Sequence, residues 1–129
     1  AVERDAILPR TSHMQPGDVL IGLRSSGLHS NGFSLVRKVV ARSGIALSAP
    51  CPWNDSIHAC LGDALLAPTR IYVKALGHVM HGEHHVLGLA HITGGGFTDN
   101  LPRMLPESLG AKVDVSRWQR PSLFAWLQR

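Results

Sequence analysis

Two segments rich in glycine and small polar residues carry the side chains best suited to binding an anion. The first spans residues 25–32 and the second spans residues 93–96. Each follows a short apolar run and precedes a helical pattern, so backbone N–H groups and a helix N-terminus would surround one point. Glycine suits such a place because a Cβ would obstruct a phosphate. Both segments therefore predict anion-binding loops.

The sequence does not exclude that either loop is a plain connection without a ligand. Neither is a Walker A sequence or a GxGxxG fingerprint, and residues 27–32 could be a simple turn between a strand and a helix. Three glycines in succession, 94–96, carry a larger entropic cost, which favours close approach by another group.

Two histidines lie in these loops and could contact substrate or move a proton near neutral pH. His29 is flanked by Ser30 and Asn31, and His91 stands just before the triple glycine. Each has a plain alternative: His29 as a side chain facing solvent or bonded to a cap, His91 as a buried, hydrogen-bonded residue.

The sequence gives less support for a metal site, a disulfide framework or a catalytic nucleophile. The cluster His81, His84 and His85 straddles a predicted helix end without a nearby cysteine, so we predict a solvated turn and no metal site. Cys51 and Cys60 form neither a CxxC nor a disulfide framework, which is typical of a reduced, cytoplasmic protein. No GxSxG elbow or paired-carboxylate arrangement is present.

The elements that must position the loops follow from periodicity. Apolar runs predict strands at 19–23 and 86–90, and alternation at 112–115 predicts an edge strand. Helices are expected from Phe33 to Gly44, with Asn31 as N-cap, and from about Pro68 to Gly82. Shorter helices are expected up to Leu105 and from Pro121, and residues 45–60 should be irregular.

Composition bounds the remaining possibilities. The chain has 129 residues, 44% hydrophobic and 17% charged, which fits one packed domain or part of one. No apolar run is long enough for a membrane span. The net charge of +4 is scattered, which argues against nucleic acid and fits a phosphorylated small molecule. The absence of a starting Met and a helix that runs to the last residue predict a piece of a longer polypeptide.

Four motifs in register resemble one family, phosphoribosylformylglycinamidine cyclo-ligase, also called aminoimidazole ribonucleotide synthetase. They are SSGLHSNGFSLVR at 25–37, LAPTRIYV at 66–73, HITGGGF at 91–97 and NLPR at 100–103. The opening AVERDAILP, residues 1–9, resembles the entry to that family's C-terminal domain. The resemblance covers nearly the whole chain.

The resemblance implies an enzyme of de novo purine biosynthesis. In that family ATP activates the formyl amide oxygen of formylglycinamidine ribonucleotide, and the amidine nitrogen closes the imidazole ring to give aminoimidazole ribonucleotide, ADP and phosphate. By resemblance His29 would be catalytic. Substrate or phosphate would contact the other residues that face the cleft: Ser26, Gly27, Ser30, Asn31, Gly32, His91, Thr93, Gly94, Gly95 and Gly96.

The implied fold is an α/β (α+β sandwich) domain, a mixed sheet with helices packed on one side. Residues 1–129 would form an incomplete C-terminal domain, with the N-terminal nucleotide-binding domain and the last strands absent. ATP and Mg²⁺ would be held mainly by that N-terminal domain, the full enzyme would be a cytoplasmic homodimer, and the isolated chain would be inactive.

Two alternatives stay open. One is another member of the same ATP-dependent superfamily, of the selenophosphate synthetase, thiamine monophosphate kinase or formylglycinamidine ribonucleotide synthase type. The other is a non-catalytic anion-binding or interaction module.

Overall fold

A computed structural model describes residues 3–81 and 86–129. Within them five α-helices are connected by irregular segments and short 3₁₀ turns. The helices are α1 (Phe33–Ser43), α2 (Leu61–Leu65), α3 (Val73–His81), α4 (Gly96–Asn100) and α5 (Ser122–Leu127). The 3₁₀ turns are Arg4–Ala6, Thr11–His13, Pro102–Met104 and Val115–Arg117.

The chain divides into two compact units, each containing one of the two glycine loops. We call residues 23–70 with 114–129 the Ser26 unit, and residues 1–22 with 71–113 the Gly95 unit. The Ser26 loop (26–32) lies in the first and the Gly95 loop (93–96) in the second, so each loop is described within its own unit.

The Ser26 unit is organised around a small apolar core. Leu61, with no exposed surface, packs with buried Leu28, Val36, Leu65 and Leu123. Partly buried side chains surround this cluster: Phe33, Val40, Ile45, Trp53, Phe124, Trp126 and Leu127. Because Leu28 belongs to the Ser26 loop itself, the loop is anchored directly in the core.

Helix α1 begins and ends where the sequence predicts. Its first residue is Phe33, and Gly44 terminates it in the left-handed conformation at φ 66°. Its apolar face is narrower than expected, since Val36 is buried while Leu35 is 66% exposed. The predicted helix after Pro121 is also confirmed, as α5, with Leu123 inward.

Helix α2 was not expected from the sequence. Its first amides bond to the preceding irregular segment: Leu61 N–H donates to the Ala49 carbonyl at 2.9 Å, and Gly62 N–H donates to the Leu47 carbonyl at 2.8 Å. These bonds satisfy donors that a helix leaves unpaired at its start. The irregular segment 45–60 is confirmed and serves as the N-terminal support of α2.

The Gly95 unit packs around a second, smaller core. Leu101 and Met104 are buried, and Gly88 lies so close to Met14 and Met104 that a Cβ there would approach their side chains within 3.0 and 3.1 Å. The Arg10 N–H donates to the Leu87 carbonyl at 2.7 Å. These contacts join the N-terminal segment to residues 86–90.

The three predicted strands are not confirmed in this structure. Among the described residues none is in a β-ladder. The segments 19–23, 86–90 and 112–114 are irregular, and Val115 begins a 3₁₀ turn. Val19 and Ile21 are 81% and 82% exposed. An apolar run becomes a strand only when a neighbouring strand takes up its backbone hydrogen bonds, and the described chain supplies no such neighbour.

Two helices differ from the prediction in extent. Helix α3 begins at Val73, five residues later than Pro68, and its predicted end at Gly82 lies outside the described residues. The helix expected through Leu105 is instead α4 followed by a 3₁₀ turn. Pro102 explains the break, because proline cannot continue the hydrogen-bond ladder of α4.

Candidate functional site

The Ser26 loop contains a tight turn in a left-handed conformation. The Asn31 N–H donates to the Leu28 carbonyl at 3.0 Å, and the two central residues, His29 and Ser30, have φ of 52° and 63°. Two positive φ values in the middle of such a turn are the mark of type I′, which prefers glycine, asparagine or aspartate. Non-glycine residues held there cost about 1–3 kcal/mol each and tend to occur at functional sites.

A hydrogen-bond network links this turn to the segment 66–70. The His29 Nε2 accepts from the Ser26 N–H at 2.8 Å and from the Arg70 N–H at 3.3 Å. The Ser26 Oγ lies 2.5 Å from the Pro68 carbonyl oxygen and 2.9 Å from His29 Nε2. Two of the motifs recognised in the sequence therefore contact one another through His29 and Ser26.

Gly27 completes that contact at the backbone level. Its φ of 152° lies in a region that side chains rarely adopt, and a Cβ there would lie 3.5 Å from the Ala67 Cβ. A side chain at 27 would therefore strain the backbone, although its Cβ would make only ordinary van der Waals contact with Ala67. The backbone conformation explains glycine at this position.

The start of α1 differs from the prediction. The N-cap is Gly32, left-handed at φ 70°, and not Asn31. The Asn31 Nδ2 instead donates to the His29 carbonyl at 3.0 Å, so its side chain stabilises the turn and not the helix. A glycine N-cap offers no side-chain acceptor to the first amides of this eleven-residue helix. Such an N-terminus carries partial positive charge that favours an anion.

The Gly95 loop is held by a buried asparagine. Asn100 is only 4% exposed, and its Nδ2 donates to the Gly96 carbonyl at 2.7 Å. The Thr93 Oγ1 lies 3.4 Å from the Asn100 Oδ1, and the Gly96 N–H donates to the Thr93 carbonyl at 2.9 Å. Gly96 is left-handed, at φ 61°. The Thr93 side chain thus serves the loop's own structure.

An acidic side chain lies against this second loop. A Cβ built on Gly95 would lie 2.6 Å from the Asp99 Cβ and 2.7 Å from its Oδ2. The close approach that the triple glycine suggested is therefore at least partly an approach by the protein's own carboxylate. A negative charge there opposes phosphate binding, and α4, with five residues, adds only a short dipole. His91 and Gly94 are exposed.

The segment 51–60 contains a pair of titratable side chains, Asp55 and His58, that the sequence analysis did not single out. Asp55 accepts from the His58 Nδ1 at 2.9 Å, from the backbone N–H of Ile57 and His58 at 2.8 and 3.0 Å, and from the Trp53 Nε1 at 3.0 Å. The His58 hydrogen bond and then these two backbone bonds hold the pKa of the Asp55 carboxyl well below its usual range. The Trp53 ring lies 5.7 Å from that of Trp126, centroid to centroid, which connects this network to α5.

Cys51 is a poor nucleophile in this setting. Burial raises the pKa of its thiol, and the nearby Asp55 carboxylate raises it further. A thiol attacks as its thiolate, so a raised pKa works against nucleophilic or redox chemistry at neutral pH.

The described residues show neither a metal-ligand cluster nor a membrane-spanning helix. Among the described side chains of residues 3–81 and 86–129, which leave out those of Asp5 and His81, no three from His, Cys, Asp or Glu are grouped so that they could hold a metal ion. The positions His84 and His85 of the predicted solvated turn lie outside those ranges. No helix of the described chain is long and apolar enough to cross a membrane.

Comparison with known proteins decides the family. Residues 15–129 match the family described as AIR synthase related protein, C-terminal domain. The chain belongs to this family. The match includes both glycine loops and the segment 66–70 that the His29 network joins to the first of them.

Curated relatives agree over nearly the whole chain. It is 52% identical over 128 residues to the bifunctional purine biosynthetic protein ADE1 of Schizosaccharomyces pombe, covering 99% of this chain and 16% of that protein. It is 52% identical over 126 residues to the bifunctional purine biosynthetic protein ADE5,7 of Saccharomyces cerevisiae, covering 98% and 15%. It is 51% identical over 129 residues to the human trifunctional purine biosynthetic protein adenosine-3, covering 100% and 13%.

The chain thus spans about one sixth to one eighth of the length of these relatives. The family is of the α/β type, whereas the described residues here contain helices and no strand. Sequence reasoning missed the backbone partners at Pro68 and Arg70, and it missed Asp99 beside Gly95. Only the position of Asp99 in the first turn of a short helix could have hinted at its contact with the loop.

Proposed function

We propose that this chain forms part of an ATP-dependent cyclo-ligase that converts formylglycinamidine ribonucleotide to aminoimidazole ribonucleotide in de novo purine biosynthesis. The observation that carries the proposal is the family match over residues 15–129 together with 51–52% identity to purine biosynthetic proteins. The motifs of both glycine loops fall inside that match.

The reaction needs a place for the substrate's ribose phosphate, and the Ser26 loop is our candidate. The open N-terminus of α1 favours negative charge there, and its first turn carries no acidic residue. Our proposed contacts are the residues of the loop that surround this helix start: Ser26, Gly27, Ser30, Asn31 and Gly32. Their task is to bind and orient the substrate so that the amidine nitrogen meets the activated carbon.

The Gly95 loop takes a different part of the proposed reaction. Asp99 beside Gly95 weakens its case as a phosphate cradle, so we propose that it contacts substrate through polar backbone groups. The residues concerned are His91, Thr93, Gly94, Gly95 and Gly96. Replacing Asp99 by Asn tests this division, because removal of a negative charge should strengthen phosphate binding only if phosphate binds at this loop.

ATP and Mg²⁺ belong to the proposed reaction as the source of the activating phosphoryl group and its counter-charge. The residues described here do not fit a Mg²⁺ site, since no three of their carboxylate, imidazole or thiol side chains are grouped to hold a metal ion. We propose that the N-terminal domain of the full-length enzyme, a cytoplasmic homodimer, holds both. Light scattering on the full-length protein would test the dimer.

The fold proposal follows from the same family. We propose that residues 19–23 and 86–90 join a mixed sheet with helices packed on one side when the rest of the enzyme is present. The exposure of Val19 and Ile21 supports this, because it leaves an apolar run without cover. Amide exchange at 19–23 should slow in the full-length protein relative to the isolated chain.

A segment exchange tests the function directly. The matching region of the S. pombe relative is replaced by this chain, and growth without purine is scored in a strain that lacks the relative. We expect growth and measurable aminoimidazole ribonucleotide formation, and none from the isolated 129 residues. A chimera that is expressed and folded yet makes no product contradicts the proposal and favours an interaction module.

A further inference from the structure

The imidazole of His29 lies at the centre of the Ser26 loop's hydrogen bonds. Its Nε2 is within 2.8 Å of the Ser26 backbone nitrogen and 3.3 Å of the Arg70 backbone nitrogen. The Ser26 Oγ is 2.9 Å away. Three polar atoms therefore converge on one ring nitrogen, and their chemistry determines its protonation.

Two of those three atoms can only donate. A backbone N–H has no acceptor capacity, so the Ser26 and Arg70 amides both require a lone pair on Nε2. The Ser26 hydroxyl lies 2.5 Å from the Pro68 carbonyl, which can only accept, so the hydroxyl proton is directed there. A proton on Nε2 would face two N–H groups. Nε2 is therefore the acceptor nitrogen of the ring, which places the ring proton on Nδ1.

We propose that His29 is a positioning residue, and not the proton-transfer group of the ring closure. In the form protonated on Nδ1, its Nε2 fixes residues 26–32 to residues 66–70 and so sets the shape of the loop. The lone pair that a general base would use is already bonded to two backbone amides. Taking up a proton there would break both bonds.

The left-handed turn shows why the loop needs such a clamp. His29 and Ser30 occupy a conformation that costs free energy for non-glycine residues, so bonds elsewhere must offset the cost. The Asn31 side chain contributes one, to the His29 carbonyl, and the His29 ring contributes the bonds to Ser26 and Arg70. Removing the ring should release the turn and the contact with residues 66–70 together.

The first test is structural and needs no activity. Nitrogen-15 spectra of the 129-residue chain at pH 7 should show His29 with Nδ1 protonated and Nε2 bare. Exchange of the Ser26 and Arg70 amides should accelerate at least tenfold in His29→Ala and remain within about threefold of the parent in His29→Gln. Glutamine keeps an acceptor at a similar reach from the backbone. A proton on Nε2, or unchanged exchange in His29→Ala, would overturn the proposal.

The second test rests on the proposed function and uses the S. pombe chimera. Glutamine cannot transfer a proton at neutral pH, so loss of a general acid or base would lower kcat by about 10²- to 10⁴-fold. A positioning role predicts that His29→Gln keeps kcat within about tenfold, with an unchanged pH profile. His29→Ala should lose about a hundredfold in kcat/KM, the scale of a small misplacement.

A histidine elsewhere provides the matched control. His78→Gln changes an exposed residue of α3 and should leave kcat and KM as they are. A His29→Gln loss above a hundredfold, with the spectra and amide exchange preserved, would restore proton transfer and refute our assignment. An inactive parent chimera would count against the proposed function alone. The nitrogen-15 spectra and the amide exchange would still show whether His29 Nε2 holds the Ser26 and Arg70 amides.

Discussion

In the Ser26 loop the left-handed residues are His29 and Ser30 as well as Gly32, whereas in the Gly95 loop the left-handed residue is Gly96. The first loop is anchored in an apolar core through Leu28 and clamped by a histidine. The second is held by buried Asn100 and lies against the Asp99 carboxylate. Loops of similar composition are thus built in different ways, and glycine content alone does not identify an anion site.

The largest expected effect comes from the core beneath the Ser26 loop. Leu61→Ala removes a side chain with no exposed surface and should lower the free energy of unfolding by about 2–5 kcal/mol. Urea titration followed by circular dichroism measures it. Leu66→Ala, at a site 75% exposed, is the control and should change the free energy of unfolding by less than about 0.5 kcal/mol. Equal losses would mean that Leu61 does not anchor the core.

The Gly95 loop should be sensitive to the addition of one methyl group. Gly95→Ala places a Cβ within 2.6 Å of the Asp99 Cβ, so we expect a loss of about 1–3 kcal/mol in the free energy of unfolding. Gly94→Ala is the matched control, because nothing lies within 4 Å of a Cβ at that position. If both variants unfold alike in urea, Asp99 does not pack on this loop.

The left-handed start of α1 gives a smaller effect. At φ 70°, Gly32→Ala should cost about 1 kcal/mol of unfolding free energy, whereas Gly32→Asn should cost less because asparagine tolerates this conformation. Nothing lies within 4 Å of a Cβ at Gly32, so the difference isolates the backbone. Thermal unfolding of the pair measures it, and a Gly32→Ala variant as stable as Gly32→Asn would argue against the left-handed cap.

The smallest effect is an acid sensitivity confined to the Ser26 unit. The lowered pKa of Asp55 means that its bonds stabilise the fold above the ordinary carboxyl pKa of about 4, and that this stability is lost as pH falls below that value. Asp114, also in this unit, shifts in the same direction because it accepts from the Ser116 hydroxyl and backbone N–H. The protection factors of the amides across 51–60, which allow for the slower chemical exchange in acid, should therefore be lower at pH 3 than at neutral pH.

The control for acid sensitivity is Asp55→Asn. This variant keeps the shape of the side chain but cannot titrate, so the protection factors at 51–60 should depend less on pH than in the parent. A parent and a variant with the same pH dependence would exclude Asp55 as the sensor.

Part of this fold was accessible from sequence, because local signals determine it. The period of apolar residues after Phe33 and the glycine at 44 predicted α1 to the residue. The strands failed because a strand depends on partners that a run such as 19–23 does not specify. Helix α2 was missed because five residues carry little periodicity, and its support comes from the carbonyls of Leu47 and Ala49.

In the candidate site, too, local features were predictable from the sequence and tertiary contacts were not. The residue types of the Ser26 loop indicated its importance, but the bonds from the Ser26 and Arg70 amides to His29 depend on tertiary structure, with Arg70 41 positions away. Nor could sequence predict left-handed φ at a histidine and a serine, since glycine is the usual residue there. Loop chemistry was therefore predictable as a class, while the role of each side chain needed coordinates.

The paired rings of Trp53 and Trp126 give the protein a built-in optical label. These two tryptophans and the third, Trp118, all lie in the Ser26 unit. The tyrosine of the chain, Tyr72, lies in the Gly95 unit. Excitation at wavelengths that tyrosine does not absorb will report one half of the chain alone. Comparing this emission with circular dichroism, to which the helices of both halves contribute, can then show whether the two halves melt in a single step or in succession.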